Sequence, residues 1–370
     1  MTSIAFVLLT FRPDHPSGIE RNIASLAAGL RSFGHTVWII AGGPRQDGDE
    51  AEPGLVRLES VRLPRPATND DVMAALAKPG PVCQEVHDLL LQRGVEVVCW
   101  GAPTWGLGHL HPAPEGVRTA LKVHNRIRMA SADTWRLALD AADVVLPASQ
   151  FLLDDAAEQG WDTTKWTVVP NAVLLEPDPV GYQERERLRQ QGPLRMVSRA
   201  IAEKGFAELL AAMPKQWERP VELVLASADF EFVRGETAAA MQAIWAEQRL
   251  RPDLVKVLPA LPWRQVPGFL GGAAATLIST ITPETFSNTT AEALSAGTPV
   301  VSFDRGYPPT LIGTAGRVVA PEAGFEGMWD AVRGLLDDHD GYHAASRAAP
   351  GRVHSHTPRA AARTFLNAVL

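Results

Sequence analysis

Hydrophobic and polar positions along the chain alternate between two periods. Ile4 to Leu9 is a short unbroken apolar run, suited to a strand buried on both faces. From Ile19, apolar residues recur at Ile23, Leu26, Leu30 and Phe33, in steps of four and three, which puts them on one helical face. Gly34 ends that helix, and Thr36 to Ala41 begins a second strand. Val95 to Trp100, Ala120 to Val123 and Val144 to Pro147 read as further strands. Helices fit near 83–92, 132–142 and 150–159, the last capped by Ser149 and stopped by Gly160. A second series offers strands at Leu194 to Ser198, Val221 to Ala226, Val255 to Leu258, Ala275 to Ser279, Pro299 to Ser302 and Arg317 to Val319. Strands that alternate with helices predict parallel sheets covered on both faces, hence an α/β fold.

The 370 residues exceed what one hydrophobic core usually serves. Glu176-Pro177-Asp178-Pro179 and the charged run Gln183 to Gln191 mark a change of composition. The expected organisation is a Rossmann-like domain over 1–173, a linker over 174–193 and a second Rossmann-like domain over 194–352. A terminal segment, 353–370, is expected to hold a helix starting at Pro358, with Thr357 as its cap, and to pack back on the first domain.

Charge and cysteine content narrow the function. A net charge of -7 argues against nucleic acid as the main partner, because a phosphate backbone calls for a positive face. Two scattered cysteines, Cys83 and Cys99, cannot make a disulfide framework, which fits a reducing cytoplasm. No apolar run is long enough for a membrane span, so a cytoplasmic protein is expected.

The most informative stretch runs from Pro283 to Val301. Glu284 follows an apolar strand, Ser287 or Asn288 caps a helix, and Glu292 lies more than a turn inside it. Unpaired amides at a helix start suit a diphosphate. Carboxylates repel phosphate, so Glu284 and Glu292 must read something else, and sugar or ribose hydroxyls are natural donors to them. The plainer reading is a loop charge at Glu284 and a solvated helix charge at Glu292.

This stretch resembles the signature of family 4 of the retaining glycosyltransferases, whose fold is GT-B: two facing Rossmann-like doubly wound domains with a central cleft. Glu284, Glu292 after seven intervening residues, and Gly297-Thr298-Pro299-Val300-Val301 carry the resemblance. Ser198-Arg199 with Glu203-Lys204-Gly205-Phe206 resembles the family's Arg and Lys-Gly segment. Pro16-Ser17-Gly18 resembles its glycine loop, and His124 matches a histidine at a strand end. Ser17 in place of a glycine, Ser198 before Arg199, Ala226-Ser227-Ala228-Asp229 and Ala172 depart from the pattern and bear on donor identity.

The resemblance implies transfer of a sugar from a nucleoside diphosphate donor, a UDP-sugar favoured, to a hydroxyl acceptor with retention, without metal or cofactor. Glu292 would hold the ribose and Glu284 the sugar hydroxyls. Phe286, Ser287, Asn288, Thr289, Arg199, Lys204 and Gly18 complete the donor site, the cations clamping the diphosphate. Glu284, His124, Arg199 and Lys204 are the catalytic candidates. Trp100, Trp105 and Arg126 are acceptor candidates, Arg126 as part of a basic patch with Arg118, Lys122 and Arg128; core packing is the equal reading for Trp100, and a solvated face for the patch. Partners are then a small-molecule donor and acceptor. The rivals are a nucleotide-sugar epimerase, a glycoside hydrolase using two carboxylates, and a sugar-nucleotide binder without turnover. Asp338-His339-Asp340 reads as a solvated turn, and His354 with His356 is too small a set for a metal site.

Overall fold

The computed structural model describes residues 1–13, 17–101, 113–127, 132–226 and 230–370. They fall into two compact units. The first takes the chain up to Ala172, the strand Phe230–Glu231 and the terminal segment Pro358–Leu370. The second runs from Val173 to Thr357, apart from that strand and its neighbours.

The first unit contains β1 (Ser3–Leu8), β2 (Thr36–Gly42), β3 (Leu55–Leu58), β4 (Ala67–Thr68), β5 (Val97–Trp100), β6 (Arg118–Val123) and β7 (Val144–Pro147). Six of them form a parallel sheet in the order β3-β2-β1-β5-β6-β7, while β4 pairs with Phe230–Glu231. Strands β3 and β4 and the helix Asn69–Ala75 lie in a stretch that the hydrophobic pattern leaves unassigned. β3 is only four residues long and mostly half-buried at a sheet edge, so it carries no strong apolar run. The helix Gly18–Arg31 covers the sheet, and Gly34, with φ 87°, takes the left-handed conformation that stops it. Against it lies the terminal helix Pro358–Val369. A β-carbon on Gly29 would strike the Pro358 carbonyl and lie 2.9 Å from Ala362 Cβ, so this crossing needs glycine. Phe365 completes the contact by packing on Phe6, ring centroids 5.6 Å apart.

The second unit contains β8 (Leu194–Arg199), β9 (Val221–Ala226), β11 (Val255–Leu258), β12 (Ala275–Ile278), β13 (Val300–Phe303) and β14 (Gly316–Val319), β10 being the strand Phe230–Glu231. Its parallel sheet has the order β11-β9-β8-β12-β13-β14. In both sheets the strand order reverses beside the first strand, at β1/β5 and at β8/β12. Ligands of such sheets bind outside the carboxyl ends at that reversal.

One stretch differs from the sequence expectation. Residues 182–191, read as part of a connecting linker, form the helix Tyr182–Gln191 of the second unit. Charge along the run suggested solvated chain, but Arg185 is 2% exposed. Its guanidinium donates to the carbonyls of Ala273 (2.8 Å), Ala296 (2.9 Å) and Gly271 (3.2 Å). Two of these carbonyls close helix ends, where backbone acceptors lack intrahelical partners and positive charge is favoured.

Candidate functional site

In the second unit the site residues gather at the β8/β12 reversal. Arg199 ends β8, and Lys204 sits in the single 3-10 turn Ala202–Lys204 that follows. Gly205 has φ 64°, and a β-carbon there would collide with the Ser279 carbonyl, so the loop lies flush against the end of β12. Two hydrogen bonds fix that apposition: Ser279 Oγ donates to the Lys204 carbonyl at 2.6 Å, and the Ile281 amide to the Glu203 carbonyl at 2.9 Å.

Glu284 stands in the loop after β12. Its Oε1 accepts from Lys204 Nζ and, at 2.8 Å, from Thr280 Oγ1. Lys204 and Glu284 keep 16% and 18% of their side-chain surface, so a ligand can still reach the pair. Burial pushes the Glu284 carboxyl up. The Lys204 charge and hydrogen bond, the Thr280 hydroxyl and the Arg199 charge outweigh it and hold the carboxyl below its ordinary range. Glu284 is an ionised acceptor at neutral pH. Its backbone is pinned as well: the Tyr307 amide donates to the Glu284 carbonyl at 2.8 Å, and Gly306 pairs with Glu284 as an isolated bridge.

The helix Asn288–Ser295 starts immediately beyond. Ser287 is its N-cap residue, as expected, but not through the usual cap bond. Its φ is 72°, and among the described residues it is the one non-glycine with positive φ. Its Oγ lies 2.8 Å from Thr290 Oγ1 rather than on a first-turn amide. Strained backbone of this kind costs on the order of 1–3 kcal/mol and clusters at ligand sites. Thr289 Oγ1 donates to the Val197 carbonyl at 2.9 Å, tying the helix start to β8. Asn288 is buried beside it. Glu292 is 1% exposed, which excludes the reading of a solvated helix charge.

Not every sequence candidate presents its side chain. The Phe286 ring is 2% exposed, stacked on Tyr307 at 5.8 Å and edge-on to His356 at 5.3 Å, so it anchors the loop from the core side. Burial lowers the His356 imidazole to about 4. Asp338 is exposed, as expected of a solvated turn, and also caps the helix His339–Val353 by accepting from the Gly341 amide at 2.9 Å.

In the first unit, Gly18 is exposed at the start of its helix, beside the carboxyl end of β1. The buried Glu20 shapes this loop, accepting from Thr10 Oγ1 (2.8 Å) and the Arg12 amide (3.0 Å). His124 follows β6 and is 7% exposed; burial and the Lys122 charge keep its imidazole well below the usual pKa and therefore neutral. Trp100 is fully buried in the core and is not a stacking surface. Lys122 does not belong to a solvated basic patch. Lys122 is fully buried, its Nζ donating to the Val169 carbonyl, and burial lowers its pKa to about 7. Arg126 is held by Asp155, with Nε 2.9 Å from Oδ1. Arg118 is exposed at the start of β6. Trp105 and Arg128 lie outside the described residues.

Sequence reasoning passed over Thr280, Ser279, Gly306 and Tyr307 as site residues. Ser279-Thr280 follows an apolar strand, a place where hydroxyls commonly meet ligands or loops. Nothing in the sequence marks Gly306 as the partner of Glu284, because the pairing is purely tertiary.

Two parallel Rossmann-like sheets, one carrying ionised Glu284, Lys204 and a helix start at its reversal, define a GT-B glycosyltransferase. Residues 194–338 match the model described as "Glycosyl transferases group 1", and residues 16–176 match "Glycosyltransferase Family 4". The chain belongs to this family and is a glycosyltransferase. An MMP α-(1→4)-mannosyltransferase of Mycolicibacterium hassiacum is 25% identical over 357 residues, covering 85% of each chain. Sucrose-phosphate synthase of Thermosynechococcus elongatus superposes with a TM-score of 0.80 at 16% identity, over 99% of this chain and 98% of that one. HepE of Anabaena, solved in complex with UDP-glucose, gives 0.76 at 15% identity over 99% of both chains. Among the described residues no helix is long and apolar enough to cross a membrane.

Proposed function

We propose that this glycosyltransferase moves a hexosyl group from a nucleoside diphosphate sugar to a hydroxyl acceptor with retention, and that it needs no metal ion. The observation that carries this reading is the ionised Glu284, paired with Lys204 and set between Arg199 and the start of the Asn288–Ser295 helix. Arg199, Lys204 and the helix start supply positive potential for a diphosphate, and electrostatic help at the departing anion is usually the largest catalytic term. Glu284 accepts hydrogen bonds from sugar hydroxyls and Glu292 from the ribose.

The acceptor hydroxyl attacks on the face the diphosphate leaves, and the departing phosphate oxygen takes its proton. No protein nucleophile takes part. His124, neutral and next to the end of β6, suits contact with the sugar rather than with phosphate charge. A UDP-sugar is the favoured donor, as HepE binds UDP-glucose. The location proposed is cytoplasmic.

The test is turnover of a UDP-sugar panel in the presence of EDTA, with NMR of the anomeric proton of the product. Retained configuration at an undiminished rate supports the reading. Inversion, or activity restored only by a divalent metal, overturns it. Isomerised nucleotide sugar without an acceptor would identify an epimerase instead.

A further inference from the structure

The second unit carries a cluster of metal-ligating side chains that the transfer reaction does not use. His339 and His343 lie four residues apart on the helix His339–Val353, one turn from each other, with ring centroids 4.8 Å apart. Glu186 comes from the helix Tyr182–Gln191. Its Oε2 is 2.7 Å from His343 Nε2 and 3.8 Å from His339 Nε2, and one ligand atom from each of the three residues lies within 4.8 Å of the others. We propose that Glu186, His339 and His343 bind a divalent cation of the zinc class, and that the metal clips the two helices together.

The chemistry fits. Two imidazole nitrogens and one carboxylate oxygen are a standard zinc ligand set, and histidines spaced by one helical turn present both nitrogens to a common point. The rings are already oriented. His339 Nδ1 lies 2.8 Å from Asp340 Oδ1, the carboxylate–imidazole arrangement that fixes a tautomer and leaves Nε2 as the ligand atom. Tyr182 stacks on His343 at 4.2 Å and places its hydroxyl 3.3 Å from His339 Nε2, within reach of a fourth position that water can also fill.

His343 Nε2 and Glu186 Oε2 lie 2.7 Å apart, at hydrogen-bond distance; the metal takes the place of that hydrogen bond and binds both atoms. Arg189 anchors the carboxylate with two 2.8 Å bonds, and Gln190 adds one at 2.6 Å. They hold it rigid while offsetting part of its charge, so the affinity expected is micromolar rather than that of a closed structural site. His343 is buried and His339 is half exposed, which leaves solvent access from the His339 side.

The experiment is calorimetric titration of the full, tag-free, EDTA-stripped chain with ZnCl2. The expected result is one saturable equivalent and a rise in Tm on its binding. His339→Ala, at an exposed position, keeps the metal-free Tm and weakens that equivalent at least tenfold. His354→Ala, at another exposed histidine, leaves it unchanged. Co2+ at the same site gives the intense visible absorption of tetrahedral coordination in the wild type and not in His339→Ala. Absence of a saturable equivalent, or zinc binding indifferent to His339→Ala, overturns the proposal.

Discussion

Lys204, in the loop after β8, and Glu284, in the loop after β12, form an ion pair across the point where the second sheet reverses its strand order. If both act on one bound donor, their contributions are coupled. Lys204→Met and Glu284→Gln should each lower kcat by about 100- to 1,000-fold, the range seen when a preorganised charge-stabilising donor is removed. The double variant should lose less than the product of the two, because removing one partner already frees the other. Steady-state kinetics on the three variants checks this, and independent losses would contradict a shared site.

Gly306 should matter through Glu284. Its φ is 72°, and a β-carbon would collide with the Glu284 backbone. Gly160 has φ 80° with no atom near enough to clash. Alanine at Gly160 therefore measures the conformational cost alone, about 1 kcal/mol. Gly306→Ala should cost clearly more and also reduce activity by displacing Glu284. Chemical denaturation and initial rates of both variants make the comparison, and equal costs with intact activity would refute it.

Lys122 gives a pH dependence with a definite sign. Burial lowers its pKa from 10.5 to about 7, so between those values the unfolded chain binds more protons than the native one. Its contribution to stability therefore rises with pH across that window and is least favourable at and below about 7. Lys122→Met should be more stable than wild type at pH 6, and the gain should shrink toward pH 9.5. Urea midpoints at the two pH values test this. A gain that does not change with pH would mean that Lys122 is not buried as a titrating amine.

Gly29 lies where the helix Gly18–Arg31 meets the terminal helix. Alanine favours an exposed helix interior by about 1 kcal/mol over glycine. Here the clash with Pro358 reverses the sign. Gly29→Ala should lower Tm and expose the chain near Pro358 to limited proteolysis. A stabilised protein would contradict the close crossing.

Most of this architecture was legible in the sequence. Val221 to Ala226, Val255 to Leu258 and Val144 to Pro147 are strands with the expected ends, because apolar runs bounded by polar turns encode buried parallel strands directly. The terminal helix does run from Pro358 to Val369. The placement of Glu284 after one strand, and of Arg199 and Lys204 at the end of another, was legible from the apolar runs, while the resemblance to the family singled out Arg199 and Lys204. What failed depended on partners distant in sequence. Arg185 looks solvated until helix ends supply its acceptors, and Lys122 looks like a surface charge until Val169 supplies a carbonyl. Phe286 looks like a ligand contact until Tyr307 and His356 enclose it.

Thermal unfolding with UDP, GDP, ADP and dTDP, each with EDTA, tests the nucleotide-sugar reading most directly, on wild type and on Glu292→Gln. A ligand at about a hundred times its Kd stabilises by about 2.7 kcal/mol, a readable shift in Tm. UDP should raise the Tm of the wild type, and Glu292→Gln should lose most of that rise while keeping its own ligand-free transition. No shift with any nucleotide at millimolar concentration, or an undiminished shift in Glu292→Gln, would contradict a donor site built on Glu284 and Glu292.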